Sequence, residues 1–190
     1  MDPRVARSRT KIFEAVLEEL ATVGYAAMTI EGVAGRAGVA KTTVYRHWES
    51  KARLVNDAVH DQKFAEDLID TGNLREDLLG ILGRLAARLE SGNPARILPA
   101  MISAAEVDPE LAKLHQDFVQ QRRRPLIAAI ERAIVRGELP PDVNVEIAAD
   151  MLSGPLFFRR FISRMPISAE FAQQLVDTLL PQLGGINSAS

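Results

Sequence analysis

Thr29-Ile30-Glu31-Gly32-Val33-Ala34-Gly35-Arg36-Ala37-Gly38-Val39-Ala40-Lys41-Thr42-Thr43-Val44-Tyr45-Arg46-His47-Trp48 is the stretch whose reading decides the fold. Ile30, Val33, Ala34 and Ala37 recur at three- and four-residue spacing, the period of one helical face. Thr29 precedes them as an N-cap, its hydroxyl placed to accept from a free backbone N–H. Gly38 ends this helix, because glycine takes positive φ without strain. Val39 then reads as a small apolar plug between two crossing helices. A second short helix starts at Lys41, with Val44 and Trp48 turned inward. Two helices joined by so tight a turn present the second to a DNA major groove, its first residues toward base edges.

Those residues have the right chemistry. Lys41 can donate to guanine O6 and N7, and Thr42 and Thr43 can bond a base or touch a thymine methyl. Tyr45 and His47 carry donors suited to phosphate oxygens, and Arg46 completes the set. Lys51 falls one residue into the next helix, beside unpaired backbone N–H groups, a combination that binds an anion. Thr29 is placed to contact a phosphate at the start of its own helix.

Outward from this stretch almost every segment reads as helix. Upstream, Ile12, Phe13, Val16, Leu17, Leu20 and Ala21 mark a helix from Arg4 to Val23, stopped by Gly24. Downstream, Ser50 caps a helix running to Ile69. Further helices are expected at 74–91, 95–106, 109–136, 144–164 and from Ser168 to Gly184, with Pro125 kinking the longest of them. That is an all-α chain of nine helices without a strand. No flexible linker appears near residue 50, so the fourth helix is expected to join an N-terminal head, 1–50, to a helical body, 51–190.

Composition agrees. The chain has 190 residues, 47% hydrophobic, 25% charged and only 5% aromatic, a palette of Leu, Ile, Val and Ala that favours helices. It has no cysteine, which excludes disulfides, thiol chemistry and Cys-based zinc sites. No apolar run approaches the roughly 18 residues that span a bilayer, and the first residues lack a secretory apolar stretch, so a cytoplasmic protein without membrane contact is expected. The net charge of −2 hides an asymmetry. Residues 1–51 hold eight Lys/Arg against six Asp/Glu, a net of +2, while residues 52–190 hold fifteen against nineteen, a net of −4. A DNA-contacting head on an acidic body has this sign.

Gly38-Val39-Ala40-Lys41-Thr42-Thr43-Val44-Tyr45-Arg46-His47-Trp48-Glu49-Ser50-Lys51 resembles the DNA-binding signature of the tetracycline-repressor (TetR) family. Ala40 stands where that pattern has a capping serine, and Trp48 where it has phenylalanine. The resemblance implies a TetR-like fold, a helix-turn-helix head on a ligand-binding and dimerisation body. It implies a repressor that binds a double-stranded, palindromic operator as a homodimer, the last two long helices of each subunit forming a four-helix bundle. Ile147, Met151, Leu152, Leu156, Phe171, Leu175, Leu179 and Leu180 would supply that interface. It further implies release by a small-molecule effector, hydrophobic in character, from a cavity lined by some of Phe64, Leu68, Leu82, Leu85, Met101, Ile102, Phe118, Leu126, Phe157 and Phe161. Gly154-Pro155-Leu156-Phe157-Phe158 is similar to a segment in one branch of the family.

Other readings are weaker. His60-Asp61 and His115-x-Asp117 are surface-type histidines rather than metal ligands, so neither a metal nor a cofactor is expected. Arg122-Arg123-Arg124 points around a helix rather than to one face, which suits solvent or a subunit edge. An enzyme lacks support, because the chain shows no Gly-rich phosphate loop, no HExxH and no nucleophile motif. An effector-independent DNA-binding regulator is the alternative, disfavoured because DNA binding alone needs far less than this body.

Overall fold

The computed structural model describes residues 3–60, 69–90 and 93–184. Among these residues the secondary structure is helical throughout, with ten α-helices. They form two compact units.

The first unit takes residues 1–65 and 96–119. It contains α1 (Pro3–Thr22), α2 (Gly24–Ala27), α3 (Ile30–Ala37), α4 (Lys41–His47) and α5 (Lys51–His60). The later part of α7 (Asn93–Ala105) and the first turns of α8 (Pro109–Arg136) complete it. Ile12, Val16 and Leu20 of α1 meet Val33 of α3, Val44 of α4, Leu54 of α5 and Leu111 of α8 in one apolar cluster. Arg36 of α3 fixes α1 from outside, its Nε donating to Glu19 Oε1 at 2.9 Å and its Nη1 lying 3.1 Å from Glu18. The inward positions read from sequence, Ile30, Val33, Ala34, Ala37, Val44 and Trp48, are all buried.

The second unit takes residues 66–95 and 120–190. It contains α6 (Leu74–Glu90), the rest of α8, α9 (Val145–Phe157), a π-helical segment (Phe158–Ser163) and α10 (Ala169–Leu179). Leu78 and Leu82 of α6, Ile130 of α8, Leu152 and Leu156 of α9 and Val176 of α10 fill its core. One charged residue is wholly buried there, Asp77. Thr71 donates to its Oδ1 from both backbone N, at 2.7 Å, and Oγ1, at 2.8 Å. Arg132 and Arg136 of α8 stand 3.5 and 3.9 Å from its Oδ2. Burying a carboxylate is tolerable only with such partners.

The structure differs from the sequence reading in two places. Gly24 does stop the first helix, at φ +79°, but the chain immediately makes a further turn, α2. The helix expected over 144–164 is regular only to Phe157 and then widens into the π-helical segment. Pro155 sits one turn before that change, and proline has no N–H for the carbonyl four residues back. Arg164 closes the segment in left-handed conformation, φ 53°. The course of the fifth helix past residue 60 falls largely outside the described residues, as do His60's partner Asp61 and the pocket candidates Phe64 and Leu68. Helix α8 runs through Pro125 from Pro109 to Arg136.

Among the described residues no helix is long and apolar enough to cross a membrane, and no group of His, Asp or Glu is arranged to hold a metal ion.

Candidate nucleic-acid interface

The α3–α4 pair owes its geometry to two local devices. Thr29 caps α3, its Oγ1 accepting from Gly32 N at 3.0 Å. A Cβ on Gly32 would stand 3.2 Å from that oxygen, tighter than most real contacts, so glycine keeps the cap open. Gly38 then turns the chain at φ +65°, and its N–H closes α3 on Ala34 and Gly35. Helix α4 follows after two residues. Ala40 offers no side-chain cap, as its methyl group dictates.

Helix α4 divides cleanly by face. Val44 has no exposure, and Trp48, the C-cap, keeps 6%. Trp48 is held by Phe13, at 5.6 Å between ring centroids, and by Asp57, whose Oδ2 accepts from its indole N–H at 3.0 Å. Lys41, Thr42, Tyr45, Arg46 and His47 are exposed and Thr43 is half-buried. Tyr45 leaves 47% of its surface open, far more than a packing tyrosine would. Six of the eight residues expected to meet DNA therefore lie together on one short helix. Thr29 is exposed beside them, its acceptor occupied by the cap.

Lys41 is not idle in the absence of DNA. Its ammonium pairs with Glu31 of α3 and lies 5.4 Å from the Tyr45 ring centroid. The pair holds the Glu31 carboxyl below the usual carboxylate range and pushes the Lys41 ammonium up. Both groups are fully solvated, so the pair is weak and salt-screened, and a phosphate or base edge can displace Glu31. Glu31 was not identified from the sequence, because residues ten apart on different helices carry no periodic signal.

Lys51 departs from expectation. Its Nζ donates to the Tyr25 carbonyl at 2.8 Å and the Met28 carbonyl at 3.1 Å, and sits 4.2 Å from the Tyr25 ring centroid. Instead of waiting for an anion, this ammonium satisfies the carbonyls at the end of α2, where a helix has unpaired acceptors. That correction follows from α2 itself, the turn absent from the sequence reading.

Around Lys51 a further set of contacts ties α8 to the head. The Tyr25 hydroxyl donates to Asp108 Oδ2, and Asp108 Oδ1 caps α8 by accepting from Leu111 N at 3.1 Å. Burial, with the Asp108 bond, pushes the Tyr25 phenol far up, and that bond with the Leu111 N–H holds the Asp108 carboxyl down. Ser50 accepts from Arg53 N at 3.1 Å, the expected cap, and donates to Glu110 Oε1 at 2.9 Å. Arg53 Nε lies 3.5 Å from the same carboxylate.

The other two expected sets are divided by the structure. Of the interface candidates, Leu152, Leu156, Leu175 and Leu180 are buried in the second unit's own core. Phe171 and Leu179 are half-buried against that core. Ile147 and Met151 are exposed, at 56% and 38%, and Phe158, Ile162 and Met165 extend an uncovered apolar run at 58%, 70% and 49%. Arg123, from the basic triplet, borders it: its guanidinium is largely covered and lies 2.9 Å from Glu146 and 2.8 Å from Asp150. Of the pocket candidates, Met101 is core in the first unit, while Ile102 points outward, 47% exposed. Leu82 and Leu126 are core in the second unit, with Leu85, Phe157 and Phe161 half-buried against it. Phe118 is half-buried in the first unit, 6.4 Å from the His115 ring.

Comparison with known proteins bears on the whole chain. The family model described as bacterial regulatory proteins, tetR family, matches residues 12–58. The model described as tetracyclin repressor-like, C-terminal domain, matches residues 68–179. The DNA-binding transcriptional repressor TetR of Mycobacteroides abscessus is 32% identical over 182 residues, covering 93% of this chain and 95% of that protein. The HTH-type transcriptional regulator YdeS of Bacillus subtilis is 29% identical, covering 92% and 88%. A crystal structure of a TetR family transcription regulator superposes with a TM-score of 0.66 at 36% identity, covering 92% of this chain and 97% of that one. NalD, the secondary repressor of the MexAB-OprM multidrug efflux pump in Pseudomonas aeruginosa, shares the fold at 23% identity with a TM-score of 0.75, covering 96% and 98%.

Proposed function

Because this chain belongs to the tetracycline-repressor family of DNA-binding transcriptional regulators, we propose that it is a repressor acting as a two-fold dimer, whose paired α4 helices read a palindromic operator. One observation carries this reading: the outer face of α4 holds Lys41, Thr42, Tyr45, Arg46 and His47 exposed together over a buried Val44 and Trp48. Lys41 and Thr42, at the N-terminal end, are assigned to base edges, with Thr43 beside them. Tyr45, Arg46 and His47 are assigned to phosphates, and Thr29 donates to one from the start of α3. Lys51 acts indirectly, by holding α2.

One helix of seven residues offers few contacts, so sequence selectivity requires two copies, about one DNA turn or roughly 34 Å apart. The uncovered run of Ile147, Met151, Phe158, Ile162 and Met165 supports pairing of two chains through α9 and its continuation, since removing apolar surface from water favours association. A small molecule relieves repression by binding better to the state that does not hold DNA; without that difference no equilibrium moves.

The test is selection of duplexes from a randomised pool by the purified protein, with sedimentation of the free protein. Enrichment of a two-fold symmetric site and a dimer in solution are expected. Enrichment of a single unpaired half-site, or no enrichment at low salt, would end this reading.

A further inference from the structure

Lys41 is assigned above to a base edge, yet its ammonium is already paired with the Glu31 carboxylate. The same ammonium lies 5.4 Å from the Tyr45 ring centroid, so three exposed side chains from α3 and α4 meet on the outer surface of the head. Glu31 stands in the first turn of α3, and the Lys41 bond, before any other cause, holds its carboxyl below the usual range. It is therefore ionised at neutral pH and only accepts. Phosphates repel such a group. The donors that a major groove offers it are the amino groups of cytosine and adenine. A carboxylate beside a base-reading lysine thus opposes every duplex except one that presents an amino group to it.

We propose that Lys41 and Glu31 read one G·C base pair of each operator half-site as a unit, Lys41 donating to guanine and Glu31 accepting from cytosine N4. The proposal rests on the operator-binding reading above and deepens it. Lysine has several N–H donors, so Lys41 can keep Glu31 and still donate to DNA. Guanine shows it two acceptors, O6 and N7, whereas adenine shows only N7. Guanine O6 and cytosine N4 are hydrogen-bonded to each other, so an acceptor and a donor lie side by side in the groove. An ammonium and a carboxylate in contact complement that arrangement. A phosphate that drew Lys41 away would leave Glu31 facing the charge of the duplex, while a G·C pair lets the two stay joined. Glu31 therefore weakens binding to arbitrary DNA and strengthens it at one base pair, which makes it a specificity-determining residue.

The test uses the full-length protein and the operator recovered from the randomised pool, with fluorescence-anisotropy titration of labelled duplexes. The base pair at which Lys41→Ala loses discrimination should be G·C. Methylating N4 of its cytosine keeps the pairing and replaces the free groove N–H by a methyl group. Made in one half-site, that change should weaken wild-type binding about tenfold and Glu31→Ala binding about twofold or less. On a duplex without the operator, Glu31→Ala should bind a few-fold more tightly than wild type and with a steeper salt dependence, because Lys41 is freed for a phosphate. That binding also shows the variant to be folded. No Lys41-dependent base pair, one other than G·C, or an equal methylation penalty in both proteins would overturn the paired reading. So would a gain of affinity by Glu31→Ala that is the same on operator and other duplexes, which would leave Glu31 a surface counter-ion. Failure to recover any symmetric operator sinks the operator reading and this one with it. A symmetric operator that Glu31→Ala reads with undiminished discrimination sinks the pairing alone.

Discussion

Helix α4 and the run from α9 into its π-helical continuation both leave large side chains uncovered, with opposite chemistry. Helix α4 shows solvent Lys41, Thr42, Tyr45, Arg46 and His47; the other run shows Ile147, Met151, Phe158 and Ile162. Solvated cations and hydroxyls lose little by waiting, so α4 is stable alone and asks only for a charged partner of fixed geometry. Exposed methyl and phenyl groups carry a standing cost in water of about 25 cal/mol per Å² of surface that burial would remove. On the proposed reading, the first surface suits a partner that comes and goes, the second one that stays. The two also fail differently under salt: screening weakens phosphate contacts and leaves apolar burial intact.

That contrast can be broken most forcefully at Ile147. It lies in the first turn of α9, where a carboxylate suits the helix dipole, so Ile147→Glu leaves the monomer folded. Two copies would then bury charge against charge, and we expect the dimer dissociation constant, read by sedimentation, to rise by at least about 100-fold, with operator affinity falling in step. An intact dimer would move the lasting partner to another surface.

Next in size is Lys51→Met, which separates structural from DNA-contacting cations. It removes two charged hydrogen bonds to carbonyls at the end of α2, at a cost of about 2 kcal/mol read from denaturant unfolding. Unchanged stability with weaker DNA binding would return Lys51 to the phosphate-contacting set. Lys41→Ala should cost about 1–3 kcal/mol at one operator position, seen by comparing single-base variants of the site. Uniform loss across those variants would make Lys41 a backbone contact. Tyr45→Phe is the mildest: every duplex should bind a few-fold less tightly, with sequence preference unchanged. Altered preference would place the phenol at a base edge instead.

Much of this was readable before any coordinates, for definite reasons. Helix α3 runs over the expected Ile30–Ala37, and α4 starts at the expected Lys41, because a cap, a left-handed glycine and an apolar period all act locally. What failed depended on contacts distant in sequence. Leu152, Leu156, Leu175 and Leu180 lie on apolar stripes as expected, but a stripe does not say whether its own unit or a second chain covers it, and here the chain covers them itself. The Lys51 ammonium found the carbonyls of Tyr25 and Met28, some two dozen residues upstream, which no local pattern indicates. The widened turn after Pro155 was missed although the proline was plain, since its consequence depends on which alternative hydrogen bonds the following residues find.

Trp48 closes α4 and is the one tryptophan of the chain. Its ring is packed edge-on to His47 at 5.6 Å, its N–H is fixed by Asp57, and it is sealed from solvent. The protein therefore has a built-in optical reporter at the end of its recognition element. A single ultraviolet emission band, free of background from other indoles, reports on the surroundings of that helix end with no label attached.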